Sequence, residues 1–282
     1  MWNKHSRRLF WAGVLPASLL LSQMIIYVLH LAAGFKLHFN LFELCSSIVR
    51  RYGLLVAVHA LDAVVITTLL TGGAMVLYQL IVSRRAMYKL HRAKDDKLTK
   101  LYNSQFGGGK LRLVIIGHDA PAAFTFGFFR PVIVLSTGML QLLDEEELEA
   151  VILHEQYHQS HADPLKTYVL FLFSQTLWYL PILGWVHQQY KLVREVLADQ
   201  YALQRQGSPA GLSSALVKLL RRGRPQQMAF AHVSFADTGI NVRIRQLLDP
   251  HDQASFKLPI TRAAISAHVV IVLFVMFYLA CL

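Results

Sequence analysis

His154, Glu155 and His158, in the run His154-Glu155-Gln156-Tyr157-His158, carry the most specific chemistry in the sequence. Two histidines four residues apart on a helix stand one turn apart on one face, where both imidazoles can grip a single ion. Glu155, beside the first of them, can reach a water on that ion. Zinc brings the pKa of such a water down to about 7, and a neighbouring carboxylate can take its proton and pass it to a leaving amine. The bland alternative is a pair of surface histidines on an amphipathic helix, and the flanking residues speak against it. Asp144 is a good helix N-cap, and Glu145, Glu146 and Glu147 fill a first turn in which the helix dipole favours anions. Glu147 stands where a capping box needs it, and Leu148, Val151 and Ile152 supply an apolar face. The motif is therefore expected in mid-helix, behind a strong cap.

A catalytic zinc site takes three protein ligands and keeps one position for water. The candidate third ligand is Glu195, in Val193-Arg194-Glu195-Val196-Leu197-Ala198-Asp199. A helix is predicted here from about Val186 to Gln206, ended by Gly207-Ser208-Pro209. Glu195 and Asp199 share a face of it, so Asp199 is the candidate acceptor for the outer nitrogen of a ligating histidine. The alternative for the pair is a solvated face shared with Arg194. His161 lies near the face of His154 and is a spare candidate of little weight. Asp163, before Pro164, suits either a helix-end turn or a partner of the site. Three ligands instead of four favour a catalytic ion over a purely structural one.

Positioning falls to a chain that reads as membrane-embedded. Hydrophobic residues make up 54% of the 282 and charged residues 16%, and the apolar residues come in long blocks. Blocks from about Leu9 to Ala33, Gly53 to Val82 and Ala263 to Leu282 each reach the ~20 residues that span a bilayer. A fourth, Leu165 to Val186, lies between the two groups expected to share one ion. A single crossing would part them, so a re-entrant or interfacial helical hairpin turning near Leu180–Gly184 is preferred to a full span. Lys4, Arg7 and Arg8 precede the first block, and Arg84, Arg85, Lys89, Arg92, Lys94, Lys97 and Lys100 follow the second. The positive-inside rule then puts the N-terminus and the motif in the cytoplasm. The net charge of +11 flanks apolar blocks, which points to lipid and not to nucleic acid. On the same ground Arg221-Arg222-Gly223-Arg224, and Arg243 and Arg245 on a predicted helix, are expected to meet anionic lipid. Cys45 and Cys281 form no CxxC pair, so no disulfide framework or cysteine metal site is readable.

Between the membrane blocks the expected elements are a basic helix to about Gln105, a turn at Gly107-Gly108-Gly109, and strands at Leu111–Ile116 and Pro131–Leu135. The phenylalanines of Ala123–Arg130 suit a core slightly better than a substrate groove. His59 and Asp62, three apart in the second block, are either functional or bonded to each other. His30 and His268 read as structural. The expected fold is a mainly α membrane protein, with about three transmembrane helices plus the re-entrant or fourth apolar segment, and a small α+β zinc domain on the cytoplasmic side. Residues 1–85 would form a two-helix hairpin, 86–262 the zinc domain including 165–186, and 263–282 the last helix.

The motif, the apolar segment after it and Glu195-x-x-Ala-Asp199 together resemble the integral-membrane gluzincin peptidases. The run Phe126-Gly-Phe-Phe-Arg-Pro-Val-Ile-Val-Leu-Ser136 looks like the segment before HExxH in their bacterial antirepressor, β-lactam-sensing branch. The resemblance covers about Leu111 to Gln206. It implies that Zn2+ is held by His154, His158 and Glu195, with Glu155 as general base and the strand at 131–135 along the cleft, open to strand addition by an extended substrate. It also implies cleavage of a cytoplasmic protein, a transcriptional repressor, or of the chain itself. The sensing members continue into an extracellular penicillin-binding domain that this sequence does not carry, so either a separate sensor protein is a partner, the membrane itself is sensed, or the peptidase is constitutive or self-regulated. A membrane quality-control gluzincin and a non-catalytic zinc-binding scaffold are the competing readings.

Overall fold

The computed structural model describes residues 2–34, 40–53, 55–106, 111–221, 240–248 and 258–281. The expected turn at Gly107-Gly108-Gly109 and the cluster Arg222–Arg224 lie outside them. The order of elements is α1 (Trp2–Ala33), α2 (Leu41–Arg51), α3 (Leu55–Ala93), α4 (Asp96–Phe106), β1 (Leu113–Ile116), β2 (Ala123–Phe126), β3 (Val132–Ser136), α5 (Thr137–Leu142), α6 (Glu145–Ser160), α7 (Asp163–Thr176), α8 (Ile182–Gln206), α9 (Ala210–Arg221), α10 (Ile240–Leu248) and α11 (Ile260–Cys281). The protein is mostly helical, with one small sheet among the described residues. The described chain falls into two compact units. One comprises residues 1–6, 79–168 and 189–256, and the other residues 7–78, 169–188 and 257–282.

The second unit holds the apolar helices. α1 and α3 are each long and apolar enough to cross a membrane. A core helix of a soluble protein would bury such a stretch, yet only 22% of the apolar window of α1 and 11% of that of α3 is buried. Leu15, Leu19, Leu70 and Leu77 are among the side chains left exposed, which suits a hydrocarbon solvent. α3 does not stop at Val82 but runs on through the basic residues to Ala93. The segment between the first two apolar blocks contains a helix that periodicity did not announce. Asn40 caps α2 by accepting from the amides of Phe42 and Glu43, and its own amide group donates to the Gln23 carbonyl. Leu165–Val186 is broken by a turn at 177–181, so α7 and α8 form a helical hairpin. His59 and Asp62 do not bond to each other. Asp62 accepts from the Tyr27 hydroxyl at 2.6 Å, while His59 is exposed, because the buried phenol needs an acceptor and a histidine on the outer face does not.

The first unit is a two-faced sheet with helices on it. β3 is central, parallel to β1 and antiparallel to β2. Side chains alternate by the period of two. Leu113, Ile115, Ile133 and Leu135 join the core shared with Leu148, Val151 and Ile152 of α6 and with Leu212 and Leu216 of α9. Val114, Ile116, Val132 and Val134 turn the other way, towards Phe124 and Leu90. The phenylalanine-rich run thus holds a third strand, β2. Its presence overturns one expectation: β3 has partners on both sides and no edge left for strand addition, whereas β2 is paired on one side only among the described residues. After β3, Ser136 caps α5, and Gly138 follows where the backbone of Asp119 approaches so closely that a Cβ would sit 2.0 Å from its carbonyl oxygen.

Candidate metal centre

Three local devices bring the candidate residues together, all within the first unit. The first is the start of α6. Asp144 accepts from the Glu147 amide and Glu147 accepts from the Asp144 amide, which completes the capping box. Glu147 is also buried against Ser214 and Lys218 of α9, so the cap ties α6 to its neighbour. His154 and His158 follow on the third and fourth turns. The second device is α8, which carries Arg194, Glu195 and Asp199. The third is the loop after α6, where Ala162 takes a left-handed φ of 51° and lets Asp163 open α7 against His158.

The result is a compact cluster. His154 Nε2 and His158 Nε2 are 3.2 Å apart, and each is 3.5 Å from an oxygen of Glu195. Each outer imidazole nitrogen meets its own carboxylate: His154 Nδ1 stands 2.8 Å from Asp199 Oδ1, and His158 Nδ1 stands 2.8 Å from Asp163 Oδ2. Carboxylates there hold the protons on Nδ1, so both Nε2 lone pairs face one point. Lone pairs aimed at each other across 3.2 Å repel unless a proton or a metal ion lies between them. A tetrahedral ion with bonds of about 2.0–2.1 Å puts its ligand atoms about 3.3–3.4 Å apart, so the spacing here fits such an ion.

Charge gives a second, independent fit. Among the described residues, the buried charged groups around the two histidines are Glu155, Asp163, Glu195 and Asp199 on one side and Arg194 and Arg243 on the other. Four carboxylates and two guanidiniums leave two negative charges. A divalent cation cancels them, and two uncompensated buried charges would cost several kcal/mol. Without a metal the site compensates in part with a proton. Burial alone would lower the pKa of His158, but its bond to Asp163 and the charges of Glu195 and Asp163 outweigh it and raise it to about 9. Burial works against the charge of Glu195 too, yet His154, His158 and Arg243 hold its pKa down to about 2. For Asp199 burial is likewise overcome, chiefly by Arg243 and His154, again to about 2.

Glu155, the candidate base, is buried at the same turn of α6 and is not one of the converging ligands. Thr125, on the α6 side of β2, donates its hydroxyl to Glu155 Oε2 at 2.8 Å and also lies 3.0 Å from the Glu155 carbonyl oxygen. The edge strand is thus fastened to the residue beside the metal position. His161 is not drawn in. It caps the C-terminal end of α6, with Nδ1 2.8 Å from the Tyr157 carbonyl and its ring against that of Tyr157.

The structure decides against one alternative and corrects one expectation, each at an arginine. Arg194 does not lie on a solvated face: it is 5% exposed, donates to Asp163 Oδ2 at 2.8 Å and covers the ring of Tyr157 at 4.5 Å. Arg243 was expected at the lipid surface and is fully buried instead. Its Nε donates to Asp199 Oδ2 at 2.7 Å and its Nη2 to Asp199 Oδ1 at 2.6 Å, while Nη1 is 3.2 Å from Glu195 Oε2. The reason is a buried carboxylate pair one turn apart on α8, which attracts a planar cation from a distant helix more strongly than lipid headgroups do. Arg245, two residues on, is exposed. The sequence offered one signal for this: Ile240–Leu248 is amphipathic, and Arg243 falls on the side of Gln246, which is also buried.

Comparison with known proteins points the same way. The family model described as BlaR1 peptidase M56 matches residues 47–247. The regulatory protein BlaR1 of Bacillus licheniformis is 32% identical over 75 residues, which are 27% of this chain and 12% of that protein. A protease HtpX homolog of Methanothermobacter thermautotrophicus is 33% identical over 38% of this chain and 51% of its own length. Another, from Sulfurovum sp., is 26% identical over 52% of this chain and 66% of its own. The chain thus spans less than two thirds of each of these relatives.

Proposed function

The chain belongs to the BlaR1 peptidase M56 family, and on that premise we propose that it is a membrane-bound zinc endopeptidase acting on a cytoplasmic protein. The observation that carries this reading is the convergence of His154 Nε2, His158 Nε2 and the Glu195 carboxylate at 3.2–3.5 Å, with Glu155 held beside them by Thr125. His154, His158 and Glu195 would hold the ion, and Asp199 and Asp163 would orient the two imidazoles. Zinc, when bound there, supplies the Lewis acidity that polarises a carbonyl and acidifies water. Glu155 takes the proton of the attacking water. With Oε2 engaged by Thr125, Oε1 is the oxygen that accepts it, and the same group returns it to the leaving amine. An extended substrate would add to the open edge of β2, whose Thr125 already touches the base, so that main-chain pairing sets the scissile bond by register.

The remaining parts of the reading are inferred from charge and hydropathy. The centre would face the cytoplasm, α1, α3 and α11 would span the membrane, and the α7–α8 hairpin would enter it without crossing. In this scheme residues 1–85 and 263–282 anchor a peptidase domain at 86–262. A transcriptional repressor is the substrate class drawn from the antirepressor resemblance, with a separate protein as sensor and lipid as the surrounding partner. Quality-control proteolysis is the second reading. The matches to relatives named protease HtpX favour it, since they extend over far more of those proteins than the match to BlaR1 does.

Both readings rest on one chemistry, tested on the purified full chain in detergent. Bound zinc and cleavage of cytoplasmic proteins, the chain itself included, are measured for the wild type, Glu155→Gln and Glu195→Ala. Glu155→Gln is expected to keep zinc and lose cleavage by at least about a hundredfold, and Glu195→Ala to lose both. A wild type that binds no zinc, or a Glu155→Gln variant that still cleaves, overturns the proposal.

A further inference from the structure

Arg243 has no part in binding an ion or moving a proton, yet it is the most deeply buried charged side chain around the centre. Glu195 and Asp199 share one face of α8 at a spacing where like charges repel. Burial sharpens that repulsion, because little water is left to screen it. Arg243 answers it with one planar group: two nitrogens on Asp199 and a third within reach of Glu195. Asp199 passes the restraint on to His154 Nδ1. The centre thus has two mirrored relays, Arg243–Asp199–His154 and Arg194–Asp163–His158. They differ in origin. Arg194 adjoins Glu195 on α8, so its relay is complete within α6, α7 and α8. Arg243 comes from α10, 44 residues beyond Asp199.

We propose that Arg243 is a positioning residue whose guanidinium clamps Glu195 to Asp199, so that the ion-binding set of His154, His158 and Glu195 reaches full affinity only when α10 is docked. This rests on the metal-centre reading given above. The ligands and their aspartates are then all supplied by α6, α7 and α8, and only the clamp is delivered by a later helix. A lysine cannot replace the clamp, since one ammonium cannot span both carboxylates in a fixed plane.

The sign of a single measurement separates this role from simple charge balance. Removing a cation from beside a cation site should tighten metal binding on charge alone. Loss of positioning should weaken it, typically 10–100-fold for a group that orients a ligand. Zinc affinity and zinc dissociation rate are measured by competition with a chromophoric chelator on the full chain in detergent. The variants are Arg243→Ala, Arg243→Lys and, as reference, Glu195→Ala. Arg243→Ala is expected to bind zinc about 10–100-fold more weakly and release it faster, with affinity restored by added guanidinium ion and not by tetramethylammonium. Arg243→Lys is expected to fall short of the wild type as well, and it carries the test if the alanine variant does not fold. Wild-type or tighter affinity in either Arg243 variant, with Glu195→Ala weakened, overturns the proposal and leaves the metal centre standing. Wild-type affinity in Glu195→Ala overturns the metal-centre reading itself.

Discussion

Thr125 shows how much one hydroxyl can settle at the scale of a residue. It reaches the carboxylate and the carbonyl of Glu155 from the edge strand, so the base is held from the side on which a substrate strand would lie. A hydrogen bond to a charged group is worth about 1.5–3 kcal/mol. Thr125→Val keeps the shape and the β-branch and removes only the donor. It is expected to lower the single-turnover cleavage rate by roughly tenfold or more, with bound zinc unchanged. An unaltered rate would show that Glu155 needs no such restraint. Tyr157 is the apolar counterpart. Its ring lies between Arg194 and His161, and burial, the larger influence, raises its hydroxyl to about 12, so it stays neutral beside the centre.

At the scale of elements, the motif helix is held at its far end by a charge network that does no chemistry. Glu147 is buried, yet Lys218, Ser214 and the Asp144 amide overcome the effect of burial and keep its carboxyl below the usual value. The sign of the pH effect follows. A depressed folded pKa gives stability that is present above the ordinary value of 4.5 and is lost as the pH falls through the folded pKa. Glu147→Gln should therefore lower the unfolding temperature of the detergent-solubilised chain near neutral pH. The gap to the wild type should close as the pH falls below 4.5 and through the lowered folded pKa. A gap that does not change with pH would mean that the amide loses shape and not charge. Because α6 carries His154, Glu155 and His158, the same variant should soften the site without touching it.

For the whole molecule the exposed apolar surfaces of α1 and α3 set the environment, since water would not tolerate two such helices uncovered. The chain should resist extraction from membranes by alkaline carbonate. Sidedness is testable in a Cys45→Ser, Cys281→Ser background. A cysteine at the exposed Lys89 should react with an impermeant maleimide only after the cells are opened, and cysteines at Tyr179–Gly184 should not react from outside. External labelling at Lys89 would invert the proposed orientation, and external labelling in the α7–α8 turn would make that segment a true crossing.

Features carried by neighbours in the sequence were legible without coordinates. The capping box at Asp144–Glu147, the turn-to-turn spacing of His154 and His158, the shared face of Glu195 and Asp199, and the apolar blocks all follow from helical periodicity over a few residues. The break at 177–181 was marked by Pro181, whereas Gly184, the other residue expected to mark it, lies inside α8. Tertiary structure alone decided which partners meet. It put β2 at the sheet edge and β3 at its centre, gave Thr125 to Glu155 and Asp163 to His158, and moved Arg243 from an expected lipid contact into the heart of the site. The physical reason is the same in each case. A buried charge or donor must find its partner wherever the fold brings one, and that choice is made across distances to which sequence periodicity is blind.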